Sequence, residues 1–336
     1  MTDPKTATAP WIAAQTTRLL AQRGHAWLLS GPSGLGQYSL AMGLARAWLC
    51  ESTGPGGACG HCGSCHAIDV RTHADLCVLM PETTMLELNW PLSEKAQSDL
   101  DDKKRKASKE IRVDAMRDAV EFSQRTSARG RGKVVMVFPA EQMNAITANA
   151  LLKTLEEPPG DVKFVLASES VHQLLPTIRS RCLGHTMVWP ESSAAIQWLK
   201  AMDVPDTHAV SLLKAAGGRP DDVLALLASG RNPGDWADFP KAMQRGDVAF
   251  VKDWTAPQLI DGLHKLSHDL LASHSGAPPR FFNLADLRDH GVSLTRLSDW
   301  SHALSKARRS MEHPYNAGLM QEALVGQAQN VLNSRA

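Results

Sequence analysis

Four cysteines stand at Cys50, Cys59, Cys62 and Cys65, the spacing C-x8-C-x2-C-x2-C. Tetrahedral zinc needs four thiolate or imidazole donors, each about 2.3 Å from the ion when the donor is sulfur. A C-x2-C turn puts two sulfurs on one side of a metal, and Cys62 belongs to two such turns. Gly60, Gly63 and Ser64 allow the tight bends, and the flexible approach ESTGPGGA can bring Cys50 in from the end of a preceding helix. Four cysteines leave no open coordination position, which favours a structural zinc over a catalytic one. An iron–sulfur cluster is one rival, but the ferredoxin run adds its fourth cysteine downstream before a proline, and none is here. A redox C-x-x-C is the other, and three evenly spaced thiols suit a metal better. His61 and His66 neighbour the site, while Cys77 and Cys182 sit in or beside apolar runs and read as buried thiols.

The second candidate is GPSGLGQYSL, which begins at Gly31. Gly31 and Gly36, with Gly34 between, have the G-x-x-x-x-G spacing of a phosphate-binding loop. Such a loop holds phosphates on backbone N–H groups at a helix N-terminus. It then requires Lys to neutralise the β/γ-phosphates and Ser or Thr to hold Mg²⁺. Those two places hold Gln37 and Tyr38. Gln37 carries no charge, and the Tyr38 hydroxyl lies at the far end of a ring. The plain alternative is a glycine-rich turn that never met nucleotide. A carboxylate pair should also end a later strand, to organise Mg²⁺ and water. In KVVMVFP those places fall on Phe138 and Pro139, and Glu141 lies two residues further along.

These residues need elements to position them. Apolar runs at 25–31, 75–81, 133–139, 163–168 and 185–189 are bounded by Gly, Pro or polar residues, as strands buried on both faces are. Between them, 37–49 and 112–124 have helical spacing, and Ala148, Leu151, Leu152 and Leu155 share a third helix face that stops at Pro158-Pro159. Strand–helix alternation implies a parallel sheet covered by helices. The segment 81–110 is polar and mixed in charge, and reads as a long surface loop, mobile at 99–110. Its run 103–106 could touch phosphate, but a solvated loop is the simpler account.

After about Pro190 the strand signals end. Helices are expected at 194–202 and 207–216, then from Gly217-Gly218 to Leu227, with a linker at 229–235. Leu259, Ile260, Leu263, Leu266, Leu270 and Leu271 make one apolar stripe, and Leu294, Leu297, Trp300 and Leu304 another. Such stripes are core, or else a face for a partner subunit.

A chain of 336 residues suggests two or three domains, at roughly 150 residues each. Its 43% hydrophobic and 21% charged content is that of a soluble globular protein. A net charge of +1 gives no global attraction to nucleic acid, which leaves room only for a local basic patch. No apolar run reaches the roughly 18–20 residues of a membrane span. The N-terminus lacks the basic-then-apolar pattern of a signal peptide. The expected location is the cytoplasm, where clustered cysteines serve metal or redox chemistry rather than a disulfide scaffold.

Together these residues resemble the delta-prime family of the bacterial DNA polymerase III clamp loader, over most of the chain. The family's opening strand and loop are similar to RGHAWLLSGPSGLGQ (23–37), and its zinc module and second strand to the cysteine cluster followed by THADLCVLMPE (72–82). IRVDAMRDAVEF (111–122) resembles its next helix, and HPYNAGLMQEALV (313–325) its last. The most specific signatures are NALLKTLEEPP (149–159) and LLPTIRSRC (174–182).

The resemblance implies a three-domain AAA+ fold. An α/β ATPase-like domain at 1–189 carries the zinc module at 50–65, an all-α lid spans 190–232, and an all-α collar spans 233–336 and joins a hetero-pentamer. It implies gamma/tau and delta subunits as partners, with the sliding clamp and primer–template DNA met through the assembly. Delta-prime subunits do not hydrolyse ATP, which accords with Gln37, Tyr38, Phe138 and Pro139. The related gamma/tau subunits share these motifs but keep the Lys, the Thr and the Asp-Glu pair. An active ATPase of that type is the first alternative. In this family the Arg of Ser180-Arg181-Cys182 projects into the neighbouring subunit's ATP site. Arg181 is therefore the expected arginine finger, with Arg179 second, and an ion pair with a surface carboxylate is the plain alternative. In GGRPDDVLALL (217–227) the lid's nucleotide-sensing Arg falls on Pro220, beside Arg219. A zinc-dependent nucleic-acid-binding module is the second alternative; it predicts salt-sensitive DNA binding by the isolated chain.

Overall fold

A computed structural model describes residues 8–229, 234–287, 292–310 and 316–334. Residues 230–233 of the expected linker and 313–315 of the last motif lie outside the described residues. The chain forms two compact units, Met1–Pro190 and Glu191–Ala336.

The first unit opens with α1 (Pro10–Leu20), with Pro10 in its first turn, where a missing N–H costs nothing. β1 (Ala26–Ser30), α2 (Gln37–Leu49) and the short α3 (Gly63–Asp69) follow. Next come β2 (Leu76–Leu79), α4 (Glu82–Glu87), α5 (Glu94–Asp101) and α6 (Val113–Gln124). The unit closes with β3 (Lys133–Val137), α7 (Ala145–Glu156), β4 (Val162–Ser168), the single turn α8 (Pro176–Arg179) and β5 (Leu183–Thr186).

The strands form one parallel sheet in the order β2-β3-β4-β1-β5. Leu28 pairs with Leu166 on one side and Gly184 on the other. Leu28, Val135, Phe164 and Leu166 pack on one face with Met116, Leu151, Leu155 and Ile178. Alternate residues Leu29, Val134, Met136 and Val165 are equally buried, and α2 packs across β3 and β4 with α1 upon it. This is the α/β core expected of an AAA+ chain. The turn after β1 lies at the carboxyl ends of the strands, beside the point where the chain crosses from β4 over β1 to β5. Ligands of open α/β sheets bind at such a point.

Two expectations need correction. β5 lies at Leu183–Thr186 rather than 185–189, and it is an edge strand with only His185 buried. Met187, which drew the expectation downstream, is buried after the strand has ended, beneath Gly31. The segment 81–110 is not a plain loop either, because it contains α4 and α5. Its 99–110 end is held by the buried Glu82 carboxylate, which takes bonds from Arg105 Nη2 at 2.9 Å and the Ser108 N–H at 2.8 Å. Arg112 adds an ion pair to Glu82 at 3.1 Å. Arg105, inside the run read as solvated, is the anchor.

The second unit is all helical among the described residues, with two cores. α9 (Ser192–Ala201), α10 (Asp206–Ala215) and α11 (Pro220–Ala228) bury Leu199, Leu212, Leu213 and Val223 together. α12 (Asp235–Arg245), α13 (Ala256–His274), α14 (Leu294–Ser310) and α15 (Ala317–Leu332) bury a larger set. Phe239 stacks on Trp254 at 5.1 Å, and Trp236 on Phe282 at 4.6 Å. α13 starts with a capping box between Thr255 and Gln258. Its stripe is core, as are Leu297, Trp300 and Leu304 of α14, while Leu294 is half exposed.

Candidate functional site

The cysteine cluster forms between α2 and α3. Cys50 caps the C-terminus of α2, and Cys62 is the N-cap of α3, accepting the Cys65 N–H. The Cys59 N–H points at Cys50 Sγ at 3.2 Å. Cys50 Sγ lies 3.8 Å from both Cys62 Sγ and Cys65 Sγ, and Cys59 Sγ lies 4.0 Å from Cys65 Sγ. All four sulfurs fall within 4.8 Å of one another. Four sulfurs tetrahedrally placed about 2.3 Å from a common centre would be about 3.8 Å apart, so the donor set fits a zinc ion. The Cys65 N–H favours the thiolate of Cys62 and brings its pKa down to about 6, whereas burial pushes Cys65 up to about 12.

The module is tied to the sheet by groups that spacing alone did not expose. Glu51 Oε1 accepts the N–H and the hydroxyl of Ser64, each at 3.1 Å, and Arg129 Nη1 at 3.0 Å. Arg129 comes from the loop before β3, and the fully buried Asp75 organises that loop. Asp75 accepts the Ala128 N–H at 2.7 Å, the Arg129 N–H at 2.9 Å, the Ser127 hydroxyl at 3.0 Å and Lys133 Nζ at 3.2 Å. His61 Nδ1 bonds the Cys59 carbonyl at 2.9 Å. Cys77 and Cys182 are partly buried thiols, and burial pushes each up to about 12.

The glycine turn has the bends its spacing foretold. Gly34 and Gly36 have φ of 77° and 89°, left-handed conformations that favour glycine, and Gly36 is the N-cap of α2. A Cβ on Gly31 would stand 2.9 Å from Met187 Cβ. Gln37 is 2% exposed and folds into the turn, where Nε2 donates to the Gly31 carbonyl at 2.8 Å and the Pro32 carbonyl at 2.7 Å. The Tyr38 hydroxyl accepts the Trp90 indole N–H at 2.7 Å, and its ring packs on Phe138 at 5.5 Å. Burial raises the Tyr38 pKa. Phe138 and Pro139 follow β3 directly. Glu141 turns away, its Oε1 accepting the Glu169 N–H at 3.0 Å.

Arg181 follows α8, at the end of the β4–β5 connection. Its Nε donates to Glu156 Oε1 at 2.6 Å, Nη2 reaches the same oxygen, and Nη1 donates to the Thr177 carbonyl at 2.8 Å. Glu156 ends α7, within the NALLKTLEEPP signature. The carboxylate was visible in the sequence, but nothing local paired it with an arginine 25 residues on. Arg179 is exposed. In the other unit Arg219 pairs with Asp222 at 2.8 Å, and Pro220 opens α11.

A family model described as DNA polymerase III, delta subunit, matches residues 14–188. The DNA polymerase III subunit delta' of Pseudomonas aeruginosa is 40% identical over 266 residues, covering 79% of this chain and 68% of that one. The subunit delta' of Escherichia coli is 30% identical over 277 residues, 76% of each. The DNA polymerase III subunit tau of Escherichia coli is 35% identical over 159 residues, but these are 47% of this chain and 21% of tau. Identity to delta' reaches 40% over 79% of the chain, against 30% over 74% for the DNA polymerase III subunit tau/gamma of Haemophilus influenzae, and the chain belongs to the DNA polymerase III delta-prime family.

Proposed function

We propose that the chain is a clamp-loader subunit that does not turn over ATP and that supplies Arg181 to the ATP site of a neighbouring subunit. Gln37 carries the first half. A working loop has a cation there, free to meet phosphate; this amide is buried and commits both protons to the loop's own carbonyls. Tyr38 sends its hydroxyl to Trp90, and Phe138 and Pro139 bring no carboxylate. The turn then serves as a strand–turn–helix joint. Pro220 in place of the lid's sensing arginine supports the same reading.

Arg181 belongs to the LLPTIRSRC signature, which the family shares with gamma/tau subunits, and its side chain keeps 28% exposure beside exposed Arg179. Its role would be to stabilise charge on a neighbour's γ-phosphate, which for arginine fingers amounts to about 10³–10⁵ in rate. The Glu156 pair favours a second reading, in which Arg181 only ties α8 to α7. Cys50, Cys59, Cys62 and Cys65 would hold a structural zinc that braces the first unit and takes no part in reaction. The helices of 190–232 and 233–336 would serve as lid and collar, the collar joining gamma/tau and delta subunits in a cytoplasmic hetero-pentamer that loads the sliding clamp on primed DNA.

The test is a loader reconstituted with Arg181→Ala. We expect the complex to assemble and its DNA-dependent ATPase to fall. Unchanged turnover would remove the trans-acting role and leave the ion pair as the account of Arg181. Undiminished clamp loading by a mixture lacking this chain would sink the larger proposal.

A further inference from the structure

At the end of the sheet opposite the glycine turn, the first unit holds a groove of about 860 Å³ that none of the roles above uses. Arg23 lines it from the turn after α1, Arg131 from the loop before β3, and Lys163 from β4. Trp48, near the end of α2, is half-buried in its wall and packs on fully buried Trp27 with ring centroids 4.7 Å apart.

The charges here are unevenly matched. Outside the groove lining, in the same unit, Arg125 is paired with Glu121, Arg129 with Glu51 and Lys133 with Asp75. Among the described residues Arg131 donates only to the neutral Thr53 hydroxyl, at 3.3 Å. Arg23 has no ion-pair partner among the described residues. Lys163 is paired with Asp161 at 2.9 Å, and Asp161 is the one carboxylate in the lining. A chain with a net charge of +1 therefore gathers three cations against one anion in a single groove.

We infer that this groove binds single-stranded nucleic acid, with phosphates on Arg23, Arg131 and Lys163 and a base stacked on Trp48. Cations from three separate segments suit a run of phosphates better than one phosphate group. An indole backed by a second indole is a fixed shelf for a splayed base, which a duplex does not offer. The inference is independent of the ATP-site proposal, since no residue is shared with it.

The test uses the full chain and a fluorescein-labelled oligothymidylate of about 12 nucleotides, a length within the range of single-strand sites. Three phosphate contacts on a single strand predict a slope of log K on log salt near −2, so affinity should fall about 20-fold from about 50 to 200 mM salt. Arg131→Ala should flatten the slope to about −1.4, while Arg131→Lys keeps it. Trp48→Leu should weaken binding about 10-fold, and Trp48→Phe, which keeps a ring, much less. Oligonucleotides carrying 5-iodouracil should crosslink to Trp48. Arg181→Ala should leave all of this unchanged. Absence of binding at 50 mM salt, a slope indifferent to Arg23→Ala and Arg131→Ala together, or crosslinks elsewhere would overturn the inference. So would equal competition by thymidine monophosphate, which would make the groove a mononucleotide pocket.

Discussion

Asp75 is the residue on which the surroundings of the cysteine module depend. Burial alone would raise its pKa, but two backbone N–H groups, a hydroxyl and Lys133 hold it below the usual carboxylate value. A carboxylate depressed in the fold adds stability above its unfolded pKa of about 3.9, and that stability is lost as pH falls through the folded value. Asp75→Ala should therefore destabilise the first unit by about 3–5 kcal/mol at neutral pH, because Lys133 stays buried without its partner. Denaturant melts should show the wild-type advantage shrinking as pH falls below about 4; a constant difference across that range would remove Asp75 from the account. Elemental analysis gives the companion test at the cysteines. One zinc per wild-type chain is expected, and much less than one for Cys62→Ser, which removes the thiol most disposed to ionise. Full zinc in that variant would move the metal to other ligands.

At the scale of elements, what could be read depended on how local the cause was. The α2 helix was legible to its ends because glycines precede it and Cys50 follows. The central strands were legible because burial on both faces leaves continuous apolar runs. β5 was misplaced because an edge strand needs little apolar character, and the buried Met187 lies past its end. The α4–α5 segment was missed because its organiser is a set of ion pairs between Glu82 and residues 23 and 30 positions on, which no periodicity records. In the same way the cysteine cluster was legible from spacing, whereas Glu156 as partner of Arg181 and Trp90 as partner of Tyr38 were not. Glu82→Ala tests the segment. It removes the carboxylate shared by Arg105 and Arg112 and the acceptor of the Ser108 N–H, leaves Arg105 with Asp99 as its remaining carboxylate, and should cost about 1–2 kcal/mol. Amide exchange should quicken across 94–110 while β3 and β4 stay protected. Uniform protection in the variant would show that the helices hold by themselves.

For the whole molecule, the proposed reading is that the first unit does not turn over nucleotide. On that reading, departures at several separated places predict that no single reversal restores activity. Gln37→Lys returns a cation to the turn and frees the Gly31 and Pro32 carbonyls from the amide. It does not supply a Mg²⁺ ligand, because Tyr38 still sends its hydroxyl to Trp90. It does not supply a carboxylate after β3, where Phe138 and Pro139 remain. Such a change can improve phosphate binding by a unit charge, yet metal organisation and water activation are separate requirements that it leaves unmet. The isolated Gln37→Lys chain should hydrolyse ATP no faster than the wild type, and a loader containing it should keep the wild-type DNA-dependent rate. Titration with ATP can show tighter binding without altering either result. Turnover by the isolated variant would mean that Tyr38 and Phe138 can be bypassed, and that an active site of the gamma/tau kind lies one substitution away.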